Sequence, residues 1–436
     1  MNKSIWNDYV TINKFNELNE DIETDVLVIG GGICGILCAY ELKKRNIDVV
    51  VVEQDHIGMG ITKNTTAFIT AQHDTLYQDL LENHGYSKTK KYLELNLSAI
   101  EKYKELAKEY DIDFEECSST FFTAISNDVM IEEKKVLDLL GYEAELIDEL
   151  PINNIPIKRG IRFNNQGKLN PLKLIKELSK ELVIYENTRI ENIKGNKAYT
   201  KKNTINFKKV VITTHYPFIN RYGLFFTKLS SRRSYVCALK HPTIEGTYCS
   251  IDEDGLYFRS FKDYLIIGGA DRDMKNECTY SFRERIAQLF PNLDIEYSWS
   301  NQDLVTIDNI PYIGQFDIFH KNWYVATGFG LWGFTWSMVS SQIIADLIEK
   351  NEKVPLVNPM RCLIRKQLFI NIGNVFKNMF TFRTPRCTHM GVALKYNRFD
   401  NTYECPAHGT RFDRHGNVIN GPSKRDSHSK DIDNQK

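Results

Sequence analysis

A glycine-rich turn near the start of the chain constrains its fold more than any other feature. The sequence VLVIGGGICG runs from an apolar segment at residues 25–29 into Gly30, Gly32 and Gly35, which form the pattern G-x-G-x-x-G. The residues that follow, ICGILCAYELKKRN, have helical spacing, and a second apolar segment, IDVVVVEQ, comes next. This order predicts a β-α-β unit at the opening of a parallel sheet, and therefore an α/β fold.

The same turn predicts a dinucleotide site. Gly30 suits the tight turn, Gly32 lets the backbone approach a pyrophosphate, and Gly35 allows the helix to pack closely on the strand. Glu53 lies 21 residues beyond Gly32, at the end of the second strand, where a carboxylate can hold ribose hydroxyls. An ordinary tight turn followed by a surface glutamate is the alternative, and the turn alone leaves NAD and FAD both open.

Segments after Glu53 resemble the D-amino-acid oxidase and glycine oxidase superfamily of flavoproteins. EQDHIGMGITKNTTAFITAQH resembles its second FAD segment, NTRIENI the strand whose backbone contacts adenine, VVITTHYPF the strand before the substrate domain, and ATGFGLWGFTWS the closing turn at the flavin. The resemblance covers about residues 21–350 and implies FAD as a cofactor. The FAD contacts that it implies are Gly30, Gly32, Gly35, Glu53, Gln54, Gly60, Thr62, Thr65, Thr66, Ala67, Ile190, Thr213, Gly328, Gly330, Gly333, Phe334 and Thr335.

Two short cysteine–histidine motifs near residue 400 predict a metal centre. Cys387 and His389 lie in CTHMG, and Cys405 and His408 lie in CPAHG. Two thiolates and two imidazoles are the ligand set of a Rieske [2Fe–2S] cluster, in which histidines replace two cysteines on one iron. Zinc accepts the same residue types, usually with both cysteines before both histidines. A zinc site and an empty remnant remain the alternatives.

The surrounding residues resemble the two cluster loops of Rieske proteins, THMG and PAHGTRFD. Together with TTAFITAQH and GLWGFT, they make the chain similar to bacterial FAD-dependent oxidoreductases with a C-terminal Rieske domain. Val392 and Ala407 stand where many Rieske proteins carry a disulfide, and few strand residues precede Cys387. The resemblance therefore implies a truncated cluster lobe without most of its base sheet.

The expected fold class is α/β, with a Rossmann-like FAD-binding domain of the glutathione-reductase type, an α+β substrate domain and a small β-rich Rieske lobe. The expected divisions of the chain are an N-terminal arm (1–20), an oxidoreductase unit (21–350), a connector (351–384), the truncated cluster lobe (385–424) and a polar tail (425–436). Within the oxidoreductase unit, the FAD-binding parts are expected at about 21–78, 150–230 and 300–350, and the substrate-domain parts at about 79–149 and 231–299.

The substrate is expected to meet the flavin on a sheet built from residues near 230–270. Arg259 is the first choice for binding a substrate carboxylate, because a guanidinium fork suits that group. His215 and Tyr235 are the other catalytic candidates, and Thr410 is expected to donate a hydrogen bond to a cluster sulfur. The alternatives without a functional role are a solvated arginine, a histidine that packs in the core and a threonine in a turn.

The expected function is oxidation of an amine or amino acid by FAD, with electrons passed singly through the cluster. One alternative is a flavin oxidase whose C-terminal lobe binds zinc or nothing. The other is a non-enzymatic flavin and iron–sulfur redox sensor or electron shuttle. The sequence also allows electrons to flow in the reverse direction, from a ferredoxin-like partner.

The balance of charge argues against two partner classes. The 436 residues include 56 basic and 56 acidic side chains, which gives no support for a nucleic-acid or anionic-membrane partner. No signal-peptide pattern and no apolar run of about eighteen residues is present, so no membrane span is expected. The nine cysteines are dispersed and are expected to be reduced or metal-bound in the cytoplasm.

Overall fold

The architecture comes from a computed structural model. It describes residues 3–219, 222–273, 282–361, 385–389, 391–397, 401–407, 409–421, 423 and 425–427. For residues 271–273 and 420 it describes the backbone alone. The helices in these ranges are α1 (Trp6–Tyr9), α2 (Ile33–Lys44), α3 (Leu76–His84), α4 (Tyr86–Glu109), α5 (Asp128–Leu139), α6 (Pro171–Ser179), α7 (Phe225–Lys228), α8 (Phe282–Leu289) and α9 (Gly333–Lys350).

The strands of the same ranges form three sheets. They are β1 (Ile22–Ile29), β2 (Val49–Val52), β3 (Phe68–Ile69), β4 (Glu115–Thr123), β5 (Glu145–Ile147), β6 (Arg159–Lys168), β7 (Val183–Tyr185), β8 (Asn192–Lys194), β9 (Lys197–Tyr199), β10 (Thr204–Ile212), β11 (Leu229–Lys240), β12 (Thr247–Ser250), β13 (Leu256–Phe261), β14 (Tyr264–Asp273), β15 (Ile295–Thr306), β16 (Tyr312–Gln315), β17 (Trp323–Thr327), β18 (Lys395–Asn397), β19 (Thr402–Glu404), β20 (Arg411–Phe412) and β21 (Val418–Asn420).

The first sheet is built around the predicted β-α-β unit. Its main path is β16-β17-β10-β1-β2-β7, and β1 pairs in parallel with both β10 and β2. Val26 and Val28 pack into the apolar core that contains α2 and α9, whereas Leu27 and Ile29 pack into a second core on the opposite face. Both faces are covered, so β1 is a continuous apolar run, and its carboxyl edge is where open α/β sheets bind ligands.

The second sheet covers that edge. Its path is β15-β11-β14-β13-β12-β4-β6-β3. Neighbouring strands along this path are antiparallel, except for the parallel pair of β12 and β4. Ser234 of β11 and Tyr257 of β13 lie on the wall of a large cavity. Tyr235 and Phe258, one residue further along each strand, pack on the far face beneath α8. The sheet therefore has one face directed to a ligand and one to its own core.

One expected strand is a loop instead. NTRIENI was predicted to be a strand, but residues 186–191 lie between β7 and β8. The backbone of Asn187 and Thr188 is bonded to the loop after β2: Asn187 N–H donates to Asp55 O at 3.0 Å, and Thr188 N–H donates to Glu53 O at 2.8 Å. Asn187 also has a φ of 51°, a left-handed conformation that interrupts a strand.

The third sheet belongs to the C-terminal lobe, where β18, β19, β20 and β21 form an antiparallel meander. This lobe packs against β11 and β15 of the second sheet. Arg233 Nη2 lies 3.4 Å from Glu404 Oε1, and the Asn397 amide donates to the Tyr235 hydroxyl at 3.1 Å. In the parts of the chain that the structure describes, no helix combines the length and the apolar character needed to cross a bilayer.

Candidate functional site

A cavity of about 710 Å³ lies between the carboxyl edge of the first sheet, the second sheet and the C-terminal lobe. Its volume is within the range of ordinary ligand pockets. The first sheet supplies the β1–α2 turn, residues 53–67, residues 213–216 and residues 326–334, and the second sheet supplies residues 299–304. The lobe closes one side with Arg411, Val418, Ile419, Gly421 and Ser423.

The β1–α2 turn has the geometry that its glycines predict. Gly30 has a φ of 113°, which residues with a side chain rarely adopt. A Cβ added to Gly35 would lie 1.9 Å from the carbonyl oxygen of Gly30, so helix and strand approach too closely for any side chain. Gly32 precedes the first turn of α2, whose free N–H groups and dipole suit a pyrophosphate. The close approach of strand and helix therefore requires glycine at Gly30 and Gly35, and the resulting cradle at the start of α2 is bounded by main chain.

Glu53 lies beside this turn, as the sequence predicts. Its Oε2 accepts a hydrogen bond from Gly31 N–H at 2.7 Å, and its Oε1 accepts one from Asp55 N–H at 3.0 Å. Burial raises the pKa of Glu53, while these N–H groups act in the opposite direction. Thr62 accepts from Ile33 N–H at 3.0 Å, so the two predicted FAD segments meet at the start of α2.

The other end of the cavity is formed by the closing segment. Gly328 and Gly330 have φ values of 75° and 60°, and they lead into α9 at Gly333. Gly333 and Phe334 line the cavity, but Thr335 does not. Its hydroxyl donates to the carbonyl of Thr70, the residue after β3, at 3.0 Å, so this side chain is bonded within the protein and its flavin contact stays a prediction.

The predicted FAD contacts are therefore largely brought together in one place. Those that line the cavity are Gly30, Gly32, Glu53, Gln54, Gly60, Thr62, Thr65, Thr66, Ala67, Ile190, Thr213, Gly328, Gly330, Gly333 and Phe334. Gly35 lies behind the cradle and acts through packing. The hydroxyl of Thr213 donates to Ile29 O at 3.0 Å and to Gly30 O at 3.1 Å, so it fixes the end of β10 against the turn.

His215 provides a direct test of whether the cavity suits a ligand. Its φ is 60°, it lines the cavity, and its Nε2 is buried with no hydrogen-bond partner among the described residues. Burial lowers the pKa of His215 to about 4, so the imidazole is neutral at neutral pH. A buried polar atom without a partner is costly unless a bound molecule satisfies it, and a polar cofactor would do so.

Arg259 is not where the sequence suggested. It does not line the cavity, and its Nη1 donates to the carbonyls of Thr66, Ala67 and Leu169 at 3.0, 3.0 and 3.1 Å. Trp6 of the N-terminal arm lies over the guanidinium, 5.5 Å away. These contacts argue against carboxylate binding by Arg259 and give it the task of holding the turn that faces the cavity.

Tyr235 is also displaced from the expected site. Its side chain is buried on the far face of β11, where its hydroxyl accepts from Asn397 of the C-terminal lobe. It does not line the cavity. The strand alternates as predicted, but the alternation puts Ser234, not Tyr235, on the cavity wall.

A buried histidine that sequence reasoning missed lies behind the cavity wall. The ring of His73 stacks on Trp332, a lining residue, with centroids 4.9 Å apart, and its Nδ1 is 2.6 Å from the Tyr92 hydroxyl. Burial lowers the pKa of His73 to about 3, with the Thr70 carbonyl opposing the shift. A histidine at the end of TTAFITAQH was the available signal.

The two predicted cluster loops have the same backbone hydrogen-bonding pattern. Gly391 N–H donates to Cys387 O, and Gly409 N–H donates to Cys405 O, both at 2.8 Å. Each cysteine N–H in turn donates to the carbonyl of the residue after the glycine, again at 2.8 Å. The glycines have φ values of 70° and 72°, which the tight loops require. The loops therefore present Cys387 and Cys405 from matching positions.

The surroundings of Cys387 favour its thiolate form. Hydrogen bonding with Cys405 lowers the pKa of Cys387 to about 6, and Ser423 and Thr410 contribute in the same direction. The Ser423 hydroxyl lies 3.3 Å from Cys387 Sγ. Thiolate is the form that ligates iron, so this donor set fits a cluster.

The structure describes one of the two predicted histidine ligands. Within the described ranges no three His, Cys, Asp or Glu side chains surround one point that could hold a metal ion. A Rieske cluster does not need such a trio, because two protein ligands serve each iron. His389 is described, and His408, the fourth predicted ligand, lies outside the described residues.

Comparison with known proteins agrees with both halves of the chain. Residues 25–347 match the family model described as FAD dependent oxidoreductase, and residues 361–430 match that of the Rieske [2Fe-2S] domain. The Bacillus subtilis (strain 168) protein YhfW, whose name describes a Rieske 2Fe-2S iron-sulfur protein, is 32% identical over 99% of this chain and 98% of its own.

Relatives without the iron–sulfur name match about three quarters of the chain. Gamma-glutamylputrescine oxidoreductase of Escherichia coli (strain K12) is 23% identical over 77% of this chain and 85% of its own. The crystal structure of L-proline dehydrogenase from P. horikoshii has a TM-score of 0.67 at 20% identity, covering 78% of this chain and 98% of that one. The predicted fold class and the predicted cofactor pair are confirmed.

Proposed function

The chain belongs to the family of FAD dependent oxidoreductases and carries a Rieske [2Fe-2S] domain, and on this premise we propose that it oxidises a small amine or amino acid and passes the electrons singly to its own cluster. FAD supplies two-electron oxidation of a carbon–nitrogen bond, and a Rieske cluster carries one electron at a time. The protein contributes binding, orientation and the placement of the two sites.

One observation carries this proposal. The cavity that holds the predicted FAD contacts is also lined by the cluster lobe, through Arg411 and Ser423 among others. Ser423 is the same residue whose hydroxyl lies beside the sulfur of Cys387. A single side chain thus touches both the cofactor cavity and a predicted cluster ligand, which is the arrangement that a two-to-one electron converter needs.

The chain's own residues define how each cofactor would be held. The pyrophosphate would lie over Gly30 and Gly32 at the start of α2, with Glu53 at the ribose. Cys387, Cys405 and His389 would hold the cluster, with His408 as the fourth proposed ligand.

The wall that the second sheet contributes to the cavity suits an amine better than a carboxylate, whereas the cationic lining residues Lys63, Arg189 and Arg411 lie on other elements. Among the described residues, the second sheet gives the cavity the aromatic rings of Tyr257 and Trp299 and the carboxylate of Asp303, but no arginine or lysine. Arg259, the expected carboxylate ligand, is bonded to backbone carbonyls instead. Aromatic faces and a carboxylate suit a cationic amine.

An anaerobic titration of the purified protein tests the proposal. Polyamines, N-alkylated amines and amino acids would be added in turn while flavin absorbance and the EPR signal of the reduced cluster are recorded. We expect at least one amine to reduce the flavin and then the cluster, and Cys387→Ser, as the matched control, to lose the EPR signal but keep flavin reduction. Flavin reduction without iron or acid-labile sulfide would favour the plain flavin oxidase, and no reduction by any compound would favour the sensor or shuttle.

A further inference from the structure

We propose that Tyr216 and Gln302 are positioning residues that each fasten one cluster loop to the wall of the cofactor cavity. The proposal rests on the proposed function, because it assigns a task to these residues only if both cofactors are present. Both side chains belong to the oxidoreductase unit, both line the cavity, and both contact a cluster loop.

Tyr216 contacts the first cluster loop. Its ring centroid lies 6.3 Å from that of His389 at an interplanar angle of 76°, an edge-to-face arrangement. The side chain is only 3% exposed, so its ring is held firmly between the cavity and a predicted cluster ligand.

Gln302 contacts the second cluster loop. Its Nε2 donates to the carbonyl of Gly409 at 2.8 Å, and Gly409 is the residue that follows the proposed ligand His408. The side chain is 2% exposed. A Cβ added to Gly409 would lie 2.2 Å from Gln302 Nε2, so the loop approaches β15 as closely as a glycine permits.

The main chain places Tyr216 at the cavity by an unusual turn. After β10 ends, His215 adopts a φ of 60°, and its carbonyl accepts a hydrogen bond from the hydroxyl of Thr327 at the end of β17. A left-handed conformation in a non-glycine residue costs free energy and persists where the surroundings enforce it. Here it puts His215 and Tyr216 on the cavity wall in succession.

The same contacts in a purely structural role would only stabilise the lobe. A positioning role also predicts an effect on electron transfer. The ring of Tyr216 would lie between the two redox centres, and electrons pass more readily through packed protein atoms than across an empty gap. Fixing the ring of His389 also sets the orientation in which this imidazole would meet the iron, and ligand orientation affects the properties of a metal centre. Readouts of the cluster itself therefore distinguish the two roles.

The test uses holoenzyme with Tyr216→Leu, Tyr216→Phe and Gln302→Met, all checked for flavin, iron and sulfide content. Flavin and cluster absorbance are followed separately after rapid anaerobic mixing with substrate or dithionite, and the EPR spectrum and midpoint potential of the cluster are measured. We expect Tyr216→Leu to slow the equilibration of the two chromophores about tenfold, equivalent to about 1.4 kcal/mol in the barrier, and to shift the EPR g values. Tyr216→Phe keeps the ring and should restore both.

Each outcome decides the matter. Wild-type equilibration rates and spectra in both Tyr216→Leu and Gln302→Met would overturn the inference. Loss of the cluster in Tyr216→Leu but not in Tyr216→Phe would support it, since the ring alone differs, and equal loss in both would contradict it. If the wild-type flavin never reduces the cluster, the proposed function fails, while the g values and midpoint potential of the variants still test the contacts.

Discussion

Replacing Arg259 by methionine tests whether this arginine holds the turn that faces the cofactor. The Nη1 atom serves three carbonyls, those of Thr66, Ala67 and Leu169, and Trp6 covers the guanidinium. Methionine has a similar length and can occupy the buried space, but it has no donor. The three carbonyls would then be left without this partner.

The expected loss of stability follows from two opposing terms. A hydrogen bond from a charged donor contributes about 1.5–3 kcal/mol, and the two N–H groups of one nitrogen provide two full bonds. Removing the charge recovers part of its desolvation cost, which is large enough to lower the pKa of Arg259 to about 10. The net decrease in the free energy of unfolding is about 2 kcal/mol.

Urea unfolding and FAD titration measure the two consequences. Thr66 and Ala67 line the cavity, and Ala67 has a φ of 55°, so we expect a freed turn to weaken FAD binding about tenfold. Arg162→Met, on β6 of the same sheet and only loosely paired with Glu145, is the matched control and should change little. Unchanged stability and FAD affinity in Arg259→Met, with catalytic efficiency reduced about 100-fold, would show that Arg259 binds substrate after all.

Three further predictions concern the cradle, the buried histidine and the cluster. Gly35→Ala puts a methyl group 1.9 Å from the carbonyl oxygen of Gly30 and should abolish flavin retention, measured as the flavin-to-protein ratio. The control variant Gly60→Ala meets no atom within 4 Å and should fold normally. Flavin bound by Gly35→Ala would contradict the role of this turn in binding the flavin. The pKa of His73 is lowered to about 3, so as the pH falls below about 6.5 the unfolded state binds a proton at this residue before the folded state does, and stability present at neutral pH is lost. Between about pH 7.5 and pH 5, His73 should decrease the free energy of unfolding by about 2 kcal/mol. In urea unfolding, His73→Gln should lack that part of the pH dependence. Ser423→Ala removes a hydroxyl beside Cys387 Sγ and should lower the midpoint potential of the cluster in an EPR-monitored titration, Ser423→Thr should not, and equal potentials would exclude the hydrogen bond.

The parts of the fold that were predictable are those in which local pattern and packing agree. The run VLVI is buried on both faces, and the glycines after it are required by close approach, so residues 25–53 could be read directly. NTRIENI resembles a strand, but only its last two residues belong to β8, and the backbone of Asn187 and Thr188 bonds to the loop that begins at Glu53. That pairing depends on residues more than a hundred positions away, which no local pattern reveals.

The candidate site shows the same division. Alternation in β13 puts Arg259 on the same face as Tyr257, which does line the cavity. Alternation therefore gives the correct face of β13, but the guanidinium of Arg259 does not reach the cavity, because the N-terminal arm brings Trp6 over it. Gln302 carried no motif, and its contact with Gly409 exists only because the lobe packs on β15. Long-range contacts of this kind had no signal in the sequence.

The participation of Arg411, Val418, Ile419, Gly421 and Ser423 in the cavity wall has a consequence for cofactor binding. Every predicted flavin contact lies within residues 30–335, before the lobe in the chain. Without the lobe, the cavity would lack the wall that Arg411 and Ser423 supply. We therefore expect retention of the flavin and occupancy of the cluster to depend on each other, because the segment that carries the predicted cluster ligands also encloses the cavity.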